Sequence, residues 1–345
     1  MALLSAADGD ILVVNAGSTS LKLTVVDTDE RSRTLASLED VPSVFAVGHR
    51  VVHGGPDFSE PTLIDDDVLA KLTHLIELAP LHNQPAVAAI EAARQALPDV
   101  PHVAVFDTAF HKTIPAVAAT YLLPKRYREL GIHRYGFHGL SVQWAAEHVA
   151  VSRLVVCHLG GGASVTGVKD GTSIDTTMGF TPLEGVPMAT RAGSVDPGAL
   201  LYLLHHGISL DELDRALEHE SGLVALAGSG DVAALTGDAS REAQLALAIY
   251  CYRIAQAVAA MAVALGGLDA LVFTAGVGEH SARVRTDVCR QLAHLGVALD
   301  ERANASAGDG ATEGAIEAPE STVAVHVVRA REDVVVARSV RTLVG

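Results

Sequence analysis

No basic run occurs anywhere in this sequence, aromatic residues are few, and there are only three cysteines. Its 345 residues carry 25 Lys and Arg against 41 Asp and Glu, a formal net charge of −16. That balance argues against nucleic acid as a partner, because phosphate backbones are held by clustered Lys and Arg. An anionic substrate would need a local basic pocket set against the overall field. Cys157, Cys251 and Cys289 are far apart, odd in number and form no C-x-x-C pair. They suggest neither a zinc site nor a disulfide framework, and read as reduced, buried thiols of a cytoplasmic protein. Residues Met1 to Asp10 lack the charged and apolar regions of a signal peptide. The stretch Leu245 to Leu265 is apolar but contains Arg253 and Gln256. A charge near a bilayer centre costs roughly 2.5 to 3.5 kcal/mol, so this stretch reads as a buried or interface helix and no membrane partner is expected.

What is present is small and apolar: 49% hydrophobic residues with only 4% aromatics. Such a composition suits α/β packing, and the length suits two domains. The spacing predicts a strand at Ile11 to Asn15, a Gly/Ser turn and a second strand through Leu21, Leu23 and Val25. A strand at Val47 to Val52, helices at Asp65 to Leu78 and Pro85 to Ala96, and a strand at Val103 to Phe106 follow. The plan then begins again with a strand at Leu154 to Cys157, a turn at Gly160 to Gly162, and strands at Ala163 to Val168 and Ser173 to Asp175. Lys169-Asp170-Gly171 between the last two is a hairpin signal. Helices are expected at Pro197 to His206, Leu210 to His219 and Ser240 to Leu265. A strand at Ala270 to Thr274, a second Gly turn and a helix from Ser281 to Leu295 come next. Ala303 to Ser321 reads as a surface loop before a strand at Val323 to Val328 and a helix at Glu332 to Leu343. The repeated plan predicts two like domains facing a cleft.

The candidate chemistry sits at the turns. Asn15-Ala16-Gly17-Ser18-Thr19-Ser20-Leu21-Lys22 offers glycine, hydroxyls and a cation to a phosphate, or is a polar hairpin tip. It is not a Walker loop. His158-Leu159-Gly160-Gly161-Gly162 has three glycines in a row, costly to order in a purely structural turn. Thr274-Ala275-Gly276-Val277-Gly278 follows a strand and precedes a helix, a shape shared by nucleotide-contacting and plain tight turns. Arg50, Arg134 and Arg191 each lie beside glycine turns. Asp107 ends a strand and Glu332 opens a helix, where it is either a metal ligand or a favourable first-turn charge.

Together these segments resemble the acetate kinase family. The carriers are Val14 to Lys22, His49-Arg50-Val51-Val52-His53-Gly54-Gly55, Leu78 to Asn83, Phe106 to His111, Tyr135 to Gly139 and Asp175 to Gly185. The resemblance implies duplicated ribonuclease-H-like domains of the actin-like ATPase superfamily. The N-terminal one would span residues 1–109 plus 334–345, with the last helix packed back on it, and the C-terminal one 110–333. It further implies Mg²⁺-dependent transfer from ATP to acetate or another short-chain acid, with Mn²⁺ as an alternative metal, direct in-line chemistry and a homodimer. Asn15, Asp107 and Glu332 would organise the metal. Arg50, His138 and Arg191 would face the transferred group and the carboxylate. His82 and His158 would assist beside these three or contact the ATP phosphates, and Val52, Leu81, Phe137 and Pro182 would line the acyl pocket. Lys22, His158, Leu159, Gly160, Gly161, Gly162, Asp231, Gly276, Val277 and Gly278 would hold the nucleotide.

The chain departs from the family pattern at four places. Gly161 stands where the family has Asn, Val142 where it has His, Ala233 where it has Arg, and His280 where it has Asn. It is also shorter, chiefly between Val26 and Val47 and before Leu154.

Overall fold

An unbroken apolar run makes the first strand. Ile11, Leu12, Val13 and Val14 are all buried in β1 (Ile11–Ala16), as a strand covered on both faces requires. β1 pairs antiparallel with β2 (Leu21–Val26), and β2 with β3 (Ser32–Leu35). On its other side it runs parallel to β4 (Ala46–Val51), next to which come β5 (Thr62–Leu63) and β6 (His102–Phe106). β4 and β6 are parallel, β5 closes the edge antiparallel, and the order is β3-β2-β1-β4-β6-β5. The computed structural model describes residues 9–17, 21–78, 80–308 and 313–345, and gives no side chains for 77–82.

The second sheet repeats the first strand for strand. β7 (Arg153–Leu159), β8 (Ala163–Lys169) and β9 (Thr172–Thr176) form an antiparallel meander. β10 (Ala270–Thr274) adds parallel to β7, β11 (Gly314–Ala315) is the antiparallel edge, and β12 (Ala324–Val327) lies between them. Read from β9, the order is β9-β8-β7-β10-β12-β11, the counterpart of the first sheet. Asp170 (φ 48°) and Gly171 (φ 79°) are both left-handed, the conformation of a two-residue hairpin turn.

Each sheet has its own unit. One comprises the described residues up to Lys112 with Phe137–Trp144 and Arg331–Gly345; the other comprises Thr113–Gly136 and Ala145–Ala330. In the first, the helix Pro80–Ala96 buries Val87, Ile90 and Ala93 against one face of the sheet. The helix Glu332–Val344 buries Val334, Val335, Val336, Ala337 and Val340. It lies so close to Gly48 that a Cβ there would collide with Val336. Arg338 donates to both carboxylate oxygens of Glu30, at 2.6 and 2.8 Å, and Arg341 to the carbonyls of Val26 and Asp27, which ties this helix to the turn between β2 and β3.

In the second unit the helix Arg241–Leu265 is capped by Ser240 and buries Leu247, Tyr250, Ile254, Val258 and Leu265. Among the described residues it is the one helix long and apolar enough to cross a membrane, yet more than half of its apolar window is buried in the protein. All three cysteines are buried, and burial pushes Cys251 and Cys289 up to about 12, so they are unreactive thiols.

Three local expectations need correction. The helix read from Pro85 begins at Pro80, and a proline early in a helix removes one bond without stopping it. The second Gly turn is instead a short helix, Ala275–His280, entered through Ala275 at φ 65°. Residues 303–321 are not simply a surface loop: they include the end of a helix (Glu301–Ser306), β11, and the buried Ile316 and Ala318. Their small, polar composition masked an edge strand.

Two core histidines carry a pH prediction. His102 Nε2 bonds the Leu97 carbonyl at 3.0 Å, so its Nδ1 must accept from His49 Nε2, 2.9 Å away. His49 Nδ1 is left buried without a partner. Burial, helped by His102, pushes His49 down to about 3, and burial pushes His111 down to about 4 despite the Phe137 carbonyl and Asp107. The unfolded chain takes up these protons near 6.5, before the folded one does. Their stabilising contribution is therefore complete above pH 6.5 and is lost as pH falls towards 4. By pH 5 each should have lost about 2 kcal/mol. Urea midpoints from pH 7 to 5 should fall accordingly, and His111→Gln should flatten the slope; constant midpoints would contradict this.

Candidate active site

The carboxyl ends of parallel strands are where open α/β sheets place ligands. In the first unit those ends carry Asn15 on β1, Arg50 on β4 and Asp107 just past β6. Asn15 and Arg50 are register partners, and Asp107 N donates to the Val51 carbonyl at 3.0 Å. Arg50 reaches both acidic metal candidates. Its Nε and Nη2 grip the two oxygens of Asp107 at 2.9 and 2.6 Å, and its Nη1 meets Glu332 at 2.9 Å and Asn15 Oδ1 at 3.3 Å. Burial disfavours the Arg50 charge, but Asp107 and Glu332 outweigh it and raise its pKa. The guanidinium is a fixed cation.

Burial, with the fields of Asp107 and Asp333, holds the Glu332 carboxyl above its ordinary value in spite of Arg50. Lys22, exposed and paired across the hairpin with Asn15, acts on Glu332 in the opposite sense. Ser18 to Ser20 of the first turn lie outside the described residues.

Asp107 also anchors the next segment. Gly139 N donates to its carbonyl at 2.9 Å, and a Cβ on Gly139 would collide with that oxygen. His138, one residue earlier, is left-handed at φ 60°, a strained conformation for a non-glycine residue and one that clusters at functional sites. His111 Nε2 bonds the Phe137 carbonyl at 2.9 Å, which holds the Phe137–His138 peptide to the same unit. Phe137 is buried edge-on to His53, and Val52 is half-buried in the adjoining loop. Asn83 pins that loop by bonding both the N–H and the carbonyl of His53. The side chains of Leu81 and His82 lie outside what the structure describes.

In the second unit the equivalent strand ends carry His158 on β7 and Thr274 on β10, which are register partners. Gly160 lies against Ala275, 3.6 Å from a built Cβ, so the glycine turn and the entry to the short helix are neighbours. Leu159 is wholly buried and Gly278 packs on the carbonyl carbon of Phe273, which leaves Gly276 as the exposed glycine of its segment. Ala189 N approaches the Gly161 carbonyl at 3.4 Å, and Gly230 abuts Ala189, which draws the Asp231 loop to the glycine turn. Asp231 itself caps the helix Val232–Gly237, accepting from Ala233 N at 2.9 Å. Two residues past Ala189, Arg191 donates to the Pro182 carbonyl at 3.1 Å. Burial lowers the Arg191 pKa and Glu218 restores part of it, so this is a cation that an arriving anion would stabilise.

Gly161 has nothing within 4 Å of a built Cβ and is not among the positive-φ glycines. The fold does not demand glycine there. Gly161→Asn should therefore be tolerated, and should tighten binding of a non-hydrolysable ATP analogue by one charge-assisted hydrogen bond, roughly 1.5 to 3 kcal/mol at most. Calorimetric titration decides it: equal or weaker binding would mean that the bare turn already holds phosphate in its own way.

Sequence reasoning overlooked one buried arginine and left the role of another open. Arg285 is wholly buried and donates to the carbonyls of Gly278, Glu279, Asn304 and Ala307 and to Asn304 Oδ1. Burial pushes it down to about 10. It fixes the short helix that bears Gly276, and only its helical position facing inward could have hinted at this. Arg134, noted only as a basic residue beside a glycine turn, is bonded to backbone carbonyls and Glu184.

Comparison with known proteins bears on this arrangement. Residues 33–338 match the family model described as the Acetokinase family. The chain is 47% identical over 329 residues to "Acetate kinase" of Deinococcus radiodurans, covering 91% of this chain and 82% of that protein. It is 42% identical over 313 residues to "Acetate kinase" of Protochlamydia amoebophila, with 88% and 78% covered. Among solved structures, a propionate kinase from Francisella tularensis superposes with a TM-score of 0.88 at 34% identity, over 96% of this chain and 98% of that one. The acetate kinase of Porphyromonas gingivalis gives 0.85 at 32% identity, over 97% and 100%.

Proposed function

Because the chain belongs to the acetokinase family, we propose that it moves the γ-phosphoryl group of ATP reversibly to acetate, giving acetyl phosphate and ADP. The observation that carries this reading is Arg50, a permanent cation held by Asp107 and Glu332 at the ends of parallel strands. Acetate is already ionised at neutral pH and needs no general base. What the reaction needs is charge neutralisation and alignment as one anion approaches another. Arg50, Arg191 and His138 supply it, and transfer is direct, without a phosphoenzyme.

Mg²⁺, with Mn²⁺ as an alternative, belongs to this reading. Asn15 Oδ1 and the carboxylates of Asp107 and Glu332 are hard oxygen donors meeting at one guanidinium. Two carboxylates share the single Arg50 guanidinium, so a dication beside them would be neutralised, and the residues fit. Among the described residues no group of three or more His, Cys, Asp or Glu side chains could hold a metal. Mg²⁺ takes one or two carboxylates and fills its remaining positions with phosphate oxygens and water. Bound there, Mg²⁺ would screen the phosphate charge. On the second unit, His158, the Gly160–Gly162 turn, Asp231 and the Gly276–Gly278 segment hold the nucleotide.

The division of the chain at residues 109–110 and 333–334 into two ribonuclease-H-like domains is part of the same proposal; the compact units differ from it chiefly in that Phe137–Trp144 belongs to the first. The exposed Leu201 and Tyr202 on the helix Pro197–His205 support a homodimer formed through the second of them. A cytoplasmic location follows from the same family reading.

A propionate or other short-chain acyl kinase is the second reading, favoured by the superposed propionate kinase. Turnover with acetate, propionate and butyrate, each with ATP, GTP and pyrophosphate, tests both. Highest kcat/KM for acetate with ATP is expected, and a maximum at propionate would favour the alternative. Val52→Ala should shift relative kcat/KM towards butyrate by about 1 to 2 kcal/mol. Equal effects on acetate and butyrate would remove Val52 from the pocket.

A further inference from the structure

We infer that Tyr121, Glu184 and Arg134 form a hydrogen-bonded clamp that positions the loop bearing Pro182, and so tune affinity for the carboxylic acid; this rests on the acyl kinase reading above. Arg134 Nη1 lies 3.0 Å from each of the successive carbonyls of Thr176, Thr177 and Met178. Its Nη2 donates to Glu184 Oε1 at 2.8 Å. The other Glu184 oxygen accepts from the Tyr121 hydroxyl. That hydroxyl in turn accepts from Phe180 N at 3.1 Å, which closes a ring around residues 176–184. Burial and the bond to Glu184 raise the Tyr121 pKa, so the phenol remains a donor.

The ring leaves room for no side chain at its centre. A Cβ on Gly179 would collide with both Glu184 and the Tyr121 hydroxyl. The Gly179 carbonyl accepts from the N–H groups of Tyr135 and Gly136, at 3.0 and 3.3 Å. Arg134, Tyr135 and Gly136 lead directly into Phe137 and His138, so one clamp holds the loop and the approach to that pair.

Packing holds part of this loop: Met178 is wholly buried, Pro182 is buried, and the Phe180 ring lies against Tyr135. Beside Glu184 lies a recess of about 350 Å³, lined also by Asp175, Arg134, Arg253 and Gln256 among others. The hydrogen-bonded ring adds to that packing in fixing the loop. The span between, Thr181 to Leu183, includes the Pro182 carbonyl to which Arg191 donates. If the ring loosens, Pro182 and Arg191 shift together. The three clamp residues are positioning residues, acting through these two.

Tyr121→Phe removes one oxygen and keeps the ring volume. It should raise KM for acetate roughly tenfold and narrow the preference for acetate over propionate, with KM for ATP within about twofold. Glu184→Gln keeps an acceptor for Arg134 and should be milder than Glu184→Ala. Unchanged acetate KM and acid preference in Tyr121→Phe, or equal shifts for acetate and ATP, would overturn the clamp while unaltered protein remains an active kinase. Failure of the unaltered protein to phosphorylate any acid would overturn the underlying reading, and the clamp's role with it.

Discussion

Replacing Arg191 by Ala is expected to lower kcat by roughly 10²-fold or more with little change in Tm. Its guanidinium bonds the Pro182 carbonyl and is disfavoured by burial, so removing it relieves desolvation and breaks no carboxylate pair. Arg50 offers a less clean test of the same idea. Arg50→Ala should depress kcat comparably, but it leaves Asp107 and Glu332 without their cation. Removing one partner of a buried ion pair costs about 3 to 5 kcal/mol, so a fall in Tm should accompany the loss of activity. Steady-state kinetics and thermal unfolding of both variants separate the effects. Near-normal kcat in a folded Arg191→Ala protein would remove that residue from the proposed chemistry.

Glu332→Gln is expected to raise the Mg²⁺ concentration needed for half-maximal rate and to lower saturated turnover by roughly 10²-fold. Arg50 keeps its two bonds to Asp107 in this variant, so the protein should stay folded. Asp107→Asn should have the same kinetic effect with a clear loss of stability. Its amide would turn a donor towards a guanidinium that already donates, where the carboxylate accepts twice at 2.9 and 2.6 Å. Rates measured across a Mg²⁺ series check both. Unchanged metal dependence in the two variants would leave Glu332 as an ordinary first-turn helix charge.

The duplicated plan was legible in the sequence because buried parallel strands must be short apolar runs, and those at Ile11 and Leu154 each precede a glycine turn. Positions with one local cause were also readable, such as the Asp170-Gly171 turn. The Gly276 segment misled because a helix entered through a left-handed Ala275 has the same local sequence as a tight turn. Long-range pairings left still less trace. Nothing local says that Glu332, at the start of the last helix, meets Arg50 from β4, or that Arg134 binds three carbonyls forty residues on. Family resemblance marked Arg50 and Glu332, but it passed over the clamp of Arg134, Glu184 and Tyr121.

The most direct test is phosphorus NMR of the purified protein with ATP, Mg²⁺ and acetate. Acetyl phosphate and ADP should rise together as ATP falls, and adding ADP and acetyl phosphate alone should regenerate ATP. Tight ATP binding with no acetyl phosphate formed in either direction would contradict the account.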